Sequence, residues 1–126
     1  MSDRKILIID DESDIREVAA MSLETVSGWG VLQANSGMEG MRIAQERSPD
    51  AILLDVMMPD MDGPTTLQLL RSNDATAGIP VIFLTAKVQS ADRKRFAELG
   101  VAAVLSKPFD PMSLGDQIAE ALGWPI

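Results

Sequence analysis

Five polar residues stand where short apolar runs give out: Asp10 and Asp11 after Ile6-Leu7-Ile8-Ile9, Asp55 after Ala51-Ile52-Leu53-Leu54, Thr85 after Val81-Ile82-Phe83-Leu84, and Lys107 just past Ala102–Leu105. One polar residue at the end of an apolar run is ordinary, because a buried strand stops where polar side chains begin. Five become informative if the runs share an edge. Three carboxylates on one edge repel, so either a cation lies among them or one takes up a proton through a raised pKa. Oxygen ligands select a hard ion, and a small set of protein ligands suits Mg²⁺, with Mn²⁺ the alternative, because Mg²⁺ keeps several waters and coordinates phosphate. An ammonium and a hydroxyl nearby complete a set able to hold the equatorial oxygens of a phosphoryl group while a carboxylate attacks in line. Asp55 is the candidate attacking group.

The rest of the composition narrows the field. The chain has no histidine and no cysteine, which removes Cys/His zinc sites, Ser-His and Cys-His nucleophile pairs and disulfide frameworks. With 11 basic and 19 acidic residues the formal charge is −8, so the surface repels a phosphate backbone and nucleic-acid binding is not expected. The start, Met1-Ser2-Asp3-Arg4-Lys5 and four apolar residues, has no signal-peptide core, and no apolar run approaches the ~20 residues of a membrane span. A cytoplasmic protein without membrane contact is expected. At 126 residues the chain is one domain's length.

Short apolar runs alternate with amphipathic stretches, which predicts a parallel sheet covered on both faces. Lys5–Ile9 is a continuous run and reads as the first strand. Ile15, Val18, Ala19, Ser22, Leu23 and Val26 form one helical stripe, closed by Gly28. Val31–Ala34 is a short second strand, and Ser36 with Glu39 makes a capping box for a helix from Gly37 to about Arg47. Ala51–Leu54 is the third strand, after which Asp62 caps a helix with Pro64 in its first turn, Leu67 and Leu70 on its buried side, and an end near Asn73. Pro80–Leu84 is the fourth strand, Ser90 caps a helix reaching Leu99 with Gly100 as its left-handed stop, and Ala102–Leu105 is the fifth strand. Asp110-Pro111 starts a last helix with Leu114, Ile118, Ala121 and Leu122 facing inward, weakened by Gly115. Five such units fit an α/β, flavodoxin-like doubly wound five-stranded parallel sheet, order 2-1-3-4-5, with five helices and a ligand site beyond the carboxyl ends of the first and third strands.

Four separated motifs now carry a resemblance: Ile9-Asp10-Asp11, Leu53-Leu54-Asp55-Val56-Met57-Met58-Pro59-Asp60-Met61-Asp62-Gly63, Thr85-Ala86 and Lys107-Pro108-Phe109. In this order the sequence resembles a receiver domain of a two-component response regulator, the CheY-like family, from Lys5 to about Leu122. The resemblance implies that Asp55 is the phosphoacceptor, taking a phosphoryl group from a phosphohistidine on a sensor histidine kinase or a histidine phosphotransfer protein. It implies Mg²⁺ held by Asp11, Asp55 and the backbone carbonyl of Met57, with Asp10 acting mainly through metal-bound water. Thr85 and Lys107 resemble the pair that contacts the phosphoryl oxygens and starts the conformational switch, and the Lys107-Pro108 bond is expected to be cis. Phosphorylation adds charge and acceptors where Thr85 can reach, which biases a two-state surface made by the fourth helix, fifth strand and fifth helix. The implied protein is a bacterial signalling switch, not an enzyme beyond its own phosphorylation and dephosphorylation. Residues 1–126 are read as a single receiver domain with no effector domain, monomeric or dimerising on phosphorylation, whose output goes through a further protein.

Some positions depart from the family pattern or compete with it. Val104 stands three residues before Lys107, where many members carry an aromatic, and Val101–Leu105 gives a more apolar output face. Met57 and Lys87, two residues after Asp55 and Thr85, are expected to flank the mouth of the site, where the family tunes water access. Arg93-Lys94-Arg95 is a basic cluster that is either an acidic partner's dock or solvated charge. The loop at Asp60-Met61-Asp62-Gly63 is not an EF-hand, since Met58 and Leu69 fall at its first and last ligand positions. A phosphohydrolase with an aspartyl-phosphate intermediate needs an acid/base where Met57 stands, and a never-phosphorylated pseudo-receiver need not keep all five site residues.

Overall fold

A computed structural model describes residues 4–86 and 89–125; Lys87 lies outside them. Strands β1 (Lys5–Ile9), β2 (Gly30–Ala34), β3 (Ala51–Asp55), β4 (Val81–Thr85) and β5 (Ala103–Ser106) alternate with helices α1 (Ser13–Thr25), α2 (Gly37–Arg47), α3 (Gly63–Ser72), α4 (Ser90–Ala97) and α5 (Leu114–Leu122). All strand pairs are parallel and the order is β2-β1-β3-β4-β5. The central strands are apolar on both faces because helices cover both. Ile6, Ile8, Leu53, Ile82 and Leu84 pack with α1 and α5, while Leu7, Ile9, Ile52, Leu54 and Phe83 pack with α2, α3 and α4. Each such large side chain, withdrawn from water, contributes about 1.5–3 kcal/mol.

Several local expectations needed correction. Pro80 lies before β4 and serves it through its carbonyl, which accepts from Ile52 N at 3.0 Å, since proline has no N–H for the ladder. The capping box is shifted: Ser36 accepts from Glu39 N at 3.2 Å, but the Glu39 carboxylate reaches Asn35 N at 2.9 Å. On α1 the covered face is Ala19, Ala20, Ser22 and Leu23, whereas Val18 and Val26 are about half exposed, because α5 and the sheet leave that side of the stripe open. The α4 N-cap is Gln89 rather than Ser90, and regular helix stops at Ala97; a turn carries the chain to Gly100, whose φ of 79° is the expected left-handed stop. Asp110 caps a separate turn, accepting from Met112 N at 2.9 Å, and α5 proper begins at Leu114.

Gly63 and Gly115 are among the glycines set by contact. A Cβ on Gly63 would lie 2.8 Å from the Asp55 carbonyl oxygen and from Val56 Cα, so only glycine lets α3 start against the end of β3. A Cβ on Gly115 would run into Ser27 Oγ and lie 3.0 Å from Ser27 Cβ. Gly115 therefore permits α5 to close on the end of α1, and its weak helix propensity is offset by that packing. At the far end of the sheet Trp29 and Trp124 meet edge to face with centroids 5.4 Å apart, and the Arg4 guanidinium lies 4.1 Å over the Trp124 ring.

Candidate functional site

The parallel register brings the polar strand ends to one edge. Asp55 is the last residue of β3, opposite Leu84, so Thr85 is one residue further along the neighbouring strand, and Ser106 pairs with Thr85. Lys107 follows directly, its N–H donating to the Thr85 carbonyl at 2.9 Å, and the Lys107-Pro108 bond is cis. Asp10 leaves β1 with its N–H on the Ala34 carbonyl at 3.1 Å. Asp10, Asp55 and Thr85 are each at most 2% exposed.

Lys107 organises the centre. Its Nζ lies 3.0 Å from Asp10 Oδ2, 3.1 Å from Asp55 Oδ1 and 3.7 Å from Glu12 Oε1. Burial lowers the pKa of this ammonium, but the hydrogen bond to Asp10 and the charges of Asp55 and Asp10 outweigh it and hold it above the ordinary lysine value. The Asp55 carboxyl is pushed up to about 6, first by burial and then by the Asp10 charge, against the pull of Lys107 and of the Met57 N–H. One ammonium does not neutralise two buried carboxylates and the exposed Asp11 and Glu12 beside them.

The donor set fits a hard divalent cation. One oxygen from each of Asp10, Asp11, Glu12 and Asp55 lies within 4.8 Å of the others. Asp55 Oδ2 is buried with no hydrogen-bond partner among the described residues, and Asp10 Oδ2, equally buried, has only the Lys107 ammonium. Buried carboxylate oxygens left unpaired are costly, and a cation is what such an oxygen accommodates.

Asp10, Asp11, Asp55 and Lys107 are thus brought together as expected, and Thr85 lies buried at the same edge. Met57 is tied in through its N–H, which donates to Asp55 Oδ1 at 3.3 Å, while its side chain is mostly exposed. Glu12 was not foreseen. Its signal was adjacency, in the run Asp10-Asp11-Glu12, but only the turn at the start of α1, where Glu12 N donates to Asp10 Oδ1 at 2.9 Å, places its carboxylate near Lys107. Val104 is half-buried on β5, at the sheet edge, beneath the Arg93 guanidinium that donates to Ser106 Oγ at 2.6 Å and to the Val104 carbonyl at 3.4 Å.

Comparison with known proteins gives the same direction. The family profile described as the response regulator receiver domain matches residues 6–119. The DNA-binding dual master transcriptional regulator RpaA of Synechocystis is 42% identical over 106 residues, which is 84% of this chain and 44% of that protein. The phosphate regulon transcriptional regulatory protein PhoB of Pseudomonas aeruginosa is 37% identical over 114 residues, 90% of this chain and 49% of that protein. The chain spans about half the length of the curated relatives it matches. Among solved structures, chemotaxis protein CheY4 of Vibrio cholerae superposes with a TM-score of 0.87 at 28% identity, covering 95% of this chain and 99% of that one. The receiver domain of sensor histidine kinase PA1611 from Pseudomonas aeruginosa, with a magnesium ion coordinated in its active site cleft, superposes at 0.84 and 27% identity, covering 97% and 99%.

Proposed function

From the premise that the chain belongs to the response regulator receiver domain family, we propose that it accepts a phosphoryl group on Asp55 from a phosphohistidine of a sensor histidine kinase or histidine phosphotransfer protein. The observation that carries this is the Asp55 carboxylate itself: buried at the end of β3, one oxygen without a hydrogen bond among the described residues, the other held by Lys107 and the Met57 N–H. A carboxylate kept this bare is a better nucleophile than a solvated one. In the transfer an Asp55 oxygen forms the new O–P bond, the P–N bond to the donor imidazole breaks, and that imidazole takes up a proton as it leaves. Lys107 Nζ, already between Asp10 and Asp55, meets the charge on the phosphoryl oxygens, and the Thr85 hydroxyl donates to one of them. A Mg²⁺ or Mn²⁺ ion, held by Asp11, Asp55 and the Met57 carbonyl with Asp10 and Glu12 beside it, would neutralise the carboxylates and the incoming phosphoryl oxygens.

The donor histidine lies outside these 126 residues, which contain none. Support for a partner at this edge comes from an apolar cavity of about 220 Å³ lined by Asp14, Ile15, Val18, Lys107, Pro108 and Phe109, which puts an apolar landing beside the Lys107 side of the site. Output runs through α4, β5 and α5. The helix α4 is eight residues long and its one buried large side chain is Phe96, edge to face on Phe83 at 5.5 Å, so a new bond at Thr85 acts on a lightly anchored element. The protein is read as a cytoplasmic switch with no catalysis beyond its own phosphorylation and dephosphorylation. Among the described residues no helix is long and apolar enough to cross a membrane.

Intact-mass analysis after incubation with acetyl phosphate and Mg²⁺ tests the reading on wild type and Asp55→Asn, with EDTA as control. A single phosphoryl adduct on the wild type, lost in the variant and in EDTA, is expected. No adduct on the wild type overturns the proposal in favour of a phosphorylation-independent binding scaffold.

A further inference from the structure

Besides the first helical bond of α1, from Arg16 N to the Glu12 carbonyl at 3.0 Å, the turn that presents Asp10, Asp11 and Glu12 is pinned at its backbone by three hydrogen bonds. Two come from within or from the sheet: Asp10 N to the Ala34 carbonyl at 3.1 Å, and Glu12 N to Asp10 Oδ1 at 2.9 Å. The third comes from a side chain outside the site. Arg16 Nη1 donates to the Asp10 carbonyl at 2.8 Å, and Arg16 Nε donates to Gln33 Oε1 on β2 at 3.1 Å. The Asp10 carbonyl sits where the chain has left the ladder, so without Arg16 the plane of the Asp10–Asp11 peptide is free to turn, and Asp11 turns with it.

The second arm of Arg16 matters for a separate reason. A guanidinium one helical turn from Asp11 and Glu12 is drawn to their carboxylates, and an ion pair there would occupy oxygens that a cation needs. Among the described residues Arg16 makes no such pair. Gln33, exposed on the edge strand, holds Nε on the β2 side and leaves Nη1 to the carbonyl. We propose that Arg16, anchored by Gln33, is a positioning residue for the divalent cation: it orients the Asp10–Asp11 peptide and keeps its own charge off the carboxylates. The inference rests on the phosphoacceptor reading only for the identity of the site, and it is tested by cation binding alone.

The test separates positioning from charge, because the two predict opposite signs. Arg16 carries a positive charge close to a cation site, so as a charge alone its removal raises cation affinity; as a positioning group its removal lowers it. Mn²⁺ affinity of the intact chain is measured by electron paramagnetic resonance titration for wild type, Arg16→Met, Arg16→Lys and Gln33→Leu, alongside urea unfolding in EDTA. Arg16→Met is expected to weaken Mn²⁺ binding about tenfold, the range seen when groups that orient metal ligands are removed. Arg16→Lys, which keeps the charge but not the two-armed fork, is expected to weaken it nearly as much. Gln33→Leu, on the exposed edge, reads the same device if the Arg16 variants do not fold, with an expected loss of about threefold. Unchanged or tighter Mn²⁺ binding in Arg16→Met, or loss of stability in EDTA with wild-type affinity, overturns the inference. Wild-type Mn²⁺ binding without a phosphoryl adduct from acetyl phosphate would sink the phosphoacceptor reading and leave the role of Arg16 standing.

Discussion

Replacing Asp55 by asparagine should make the cation-free protein more stable, although it removes the residue on which the proposed function turns. The carboxyl is held at about 6 against an ordinary 3.8, by burial and by Asp10. At about 1.4 kcal/mol for each tenfold change in proton binding, the ionised group destabilises the fold by up to about 3 kcal/mol at neutral pH. Asparagine keeps the shape and the acceptor for Met57 N, and the raised pKa is already net of the attraction to Lys107 at 3.1 Å, so a gain of up to about 3 kcal/mol is expected. With about 2.1 cal/mol/K of unfolding entropy per residue, that is a rise in Tm of up to about 11 °C for a chain of this length. The sign with pH follows from a folded pKa above the unfolded one. The penalty is complete above pH 6, fades as pH falls through about 6 because the folded state then binds the proton first, and is gone below the ordinary value. Calorimetry in EDTA at pH 7.5 and pH 4.5 should show the variant's advantage falling to about a third at the lower pH. Millimolar Mg²⁺ at pH 7.5 should close the gap by raising the wild type alone. A variant that melts at or below wild type at pH 7.5, or keeps the same advantage at both pH values, would refute the electrostatic reasoning.

Three other substitutions probe the site and the packing that holds the helices behind it. Lys107→Met leaves Asp10 and Asp55 buried without their ammonium, and urea unfolding in EDTA at pH 7.5 should show a loss of about 3 kcal/mol that Mg²⁺ partly restores; equal loss with and without Mg²⁺ would contradict it. Gly63→Ala drives a methyl to within 2.8 Å of β3 backbone, so it should lower stability by about 1–3 kcal/mol and weaken Mn²⁺ binding together. Gly115→Ala, which helix propensity alone would make stabilising by about 1 kcal/mol, should instead destabilise by about 1–2 kcal/mol, because turning the Ser27 hydroxyl aside still leaves Ser27 Cβ 3.0 Å from the new methyl. The double variant with Ser27→Gly should recover most of that in thermal melts.

The sheet and the strand-end residues were legible because both are written in one dimension. A continuous apolar run stopping at Asp55 states at once that a buried strand is there and that a carboxylate sits at its end. What was not legible depends on which neighbour covers which face. Ala20 is buried and Val18 half exposed because of how α1 lies against β1 and α5, and no spacing rule distinguishes them. Gly115 reads as a flaw until Ser27, far away in sequence, is placed against it. Glu12 joins the site, and Arg16 reaches the Asp10 carbonyl, through the turn between β1 and α1, whose shape is made by hydrogen bonds rather than by periodicity. Asp110 carries a helix-start signature that the chain uses for a turn, and α5 begins one turn later.

Both tryptophans of the chain lie in the edge-to-face pair under Arg4. Trp29 precedes Gly30, which pairs with Lys5 at the amino end of β1, and five residues at about 3.3 Å each separate that end from Asp10 by roughly 16 Å. Intrinsic emission from this protein is therefore deaf to events among the carboxylates and sensitive to whether the tail after α5 stays seated. An optical titration with a paramagnetic ion would read nearly flat while the same signal still followed denaturation faithfully. That separation lets one cuvette report global unfolding at any cation concentration without correction for quenching by the bound ion.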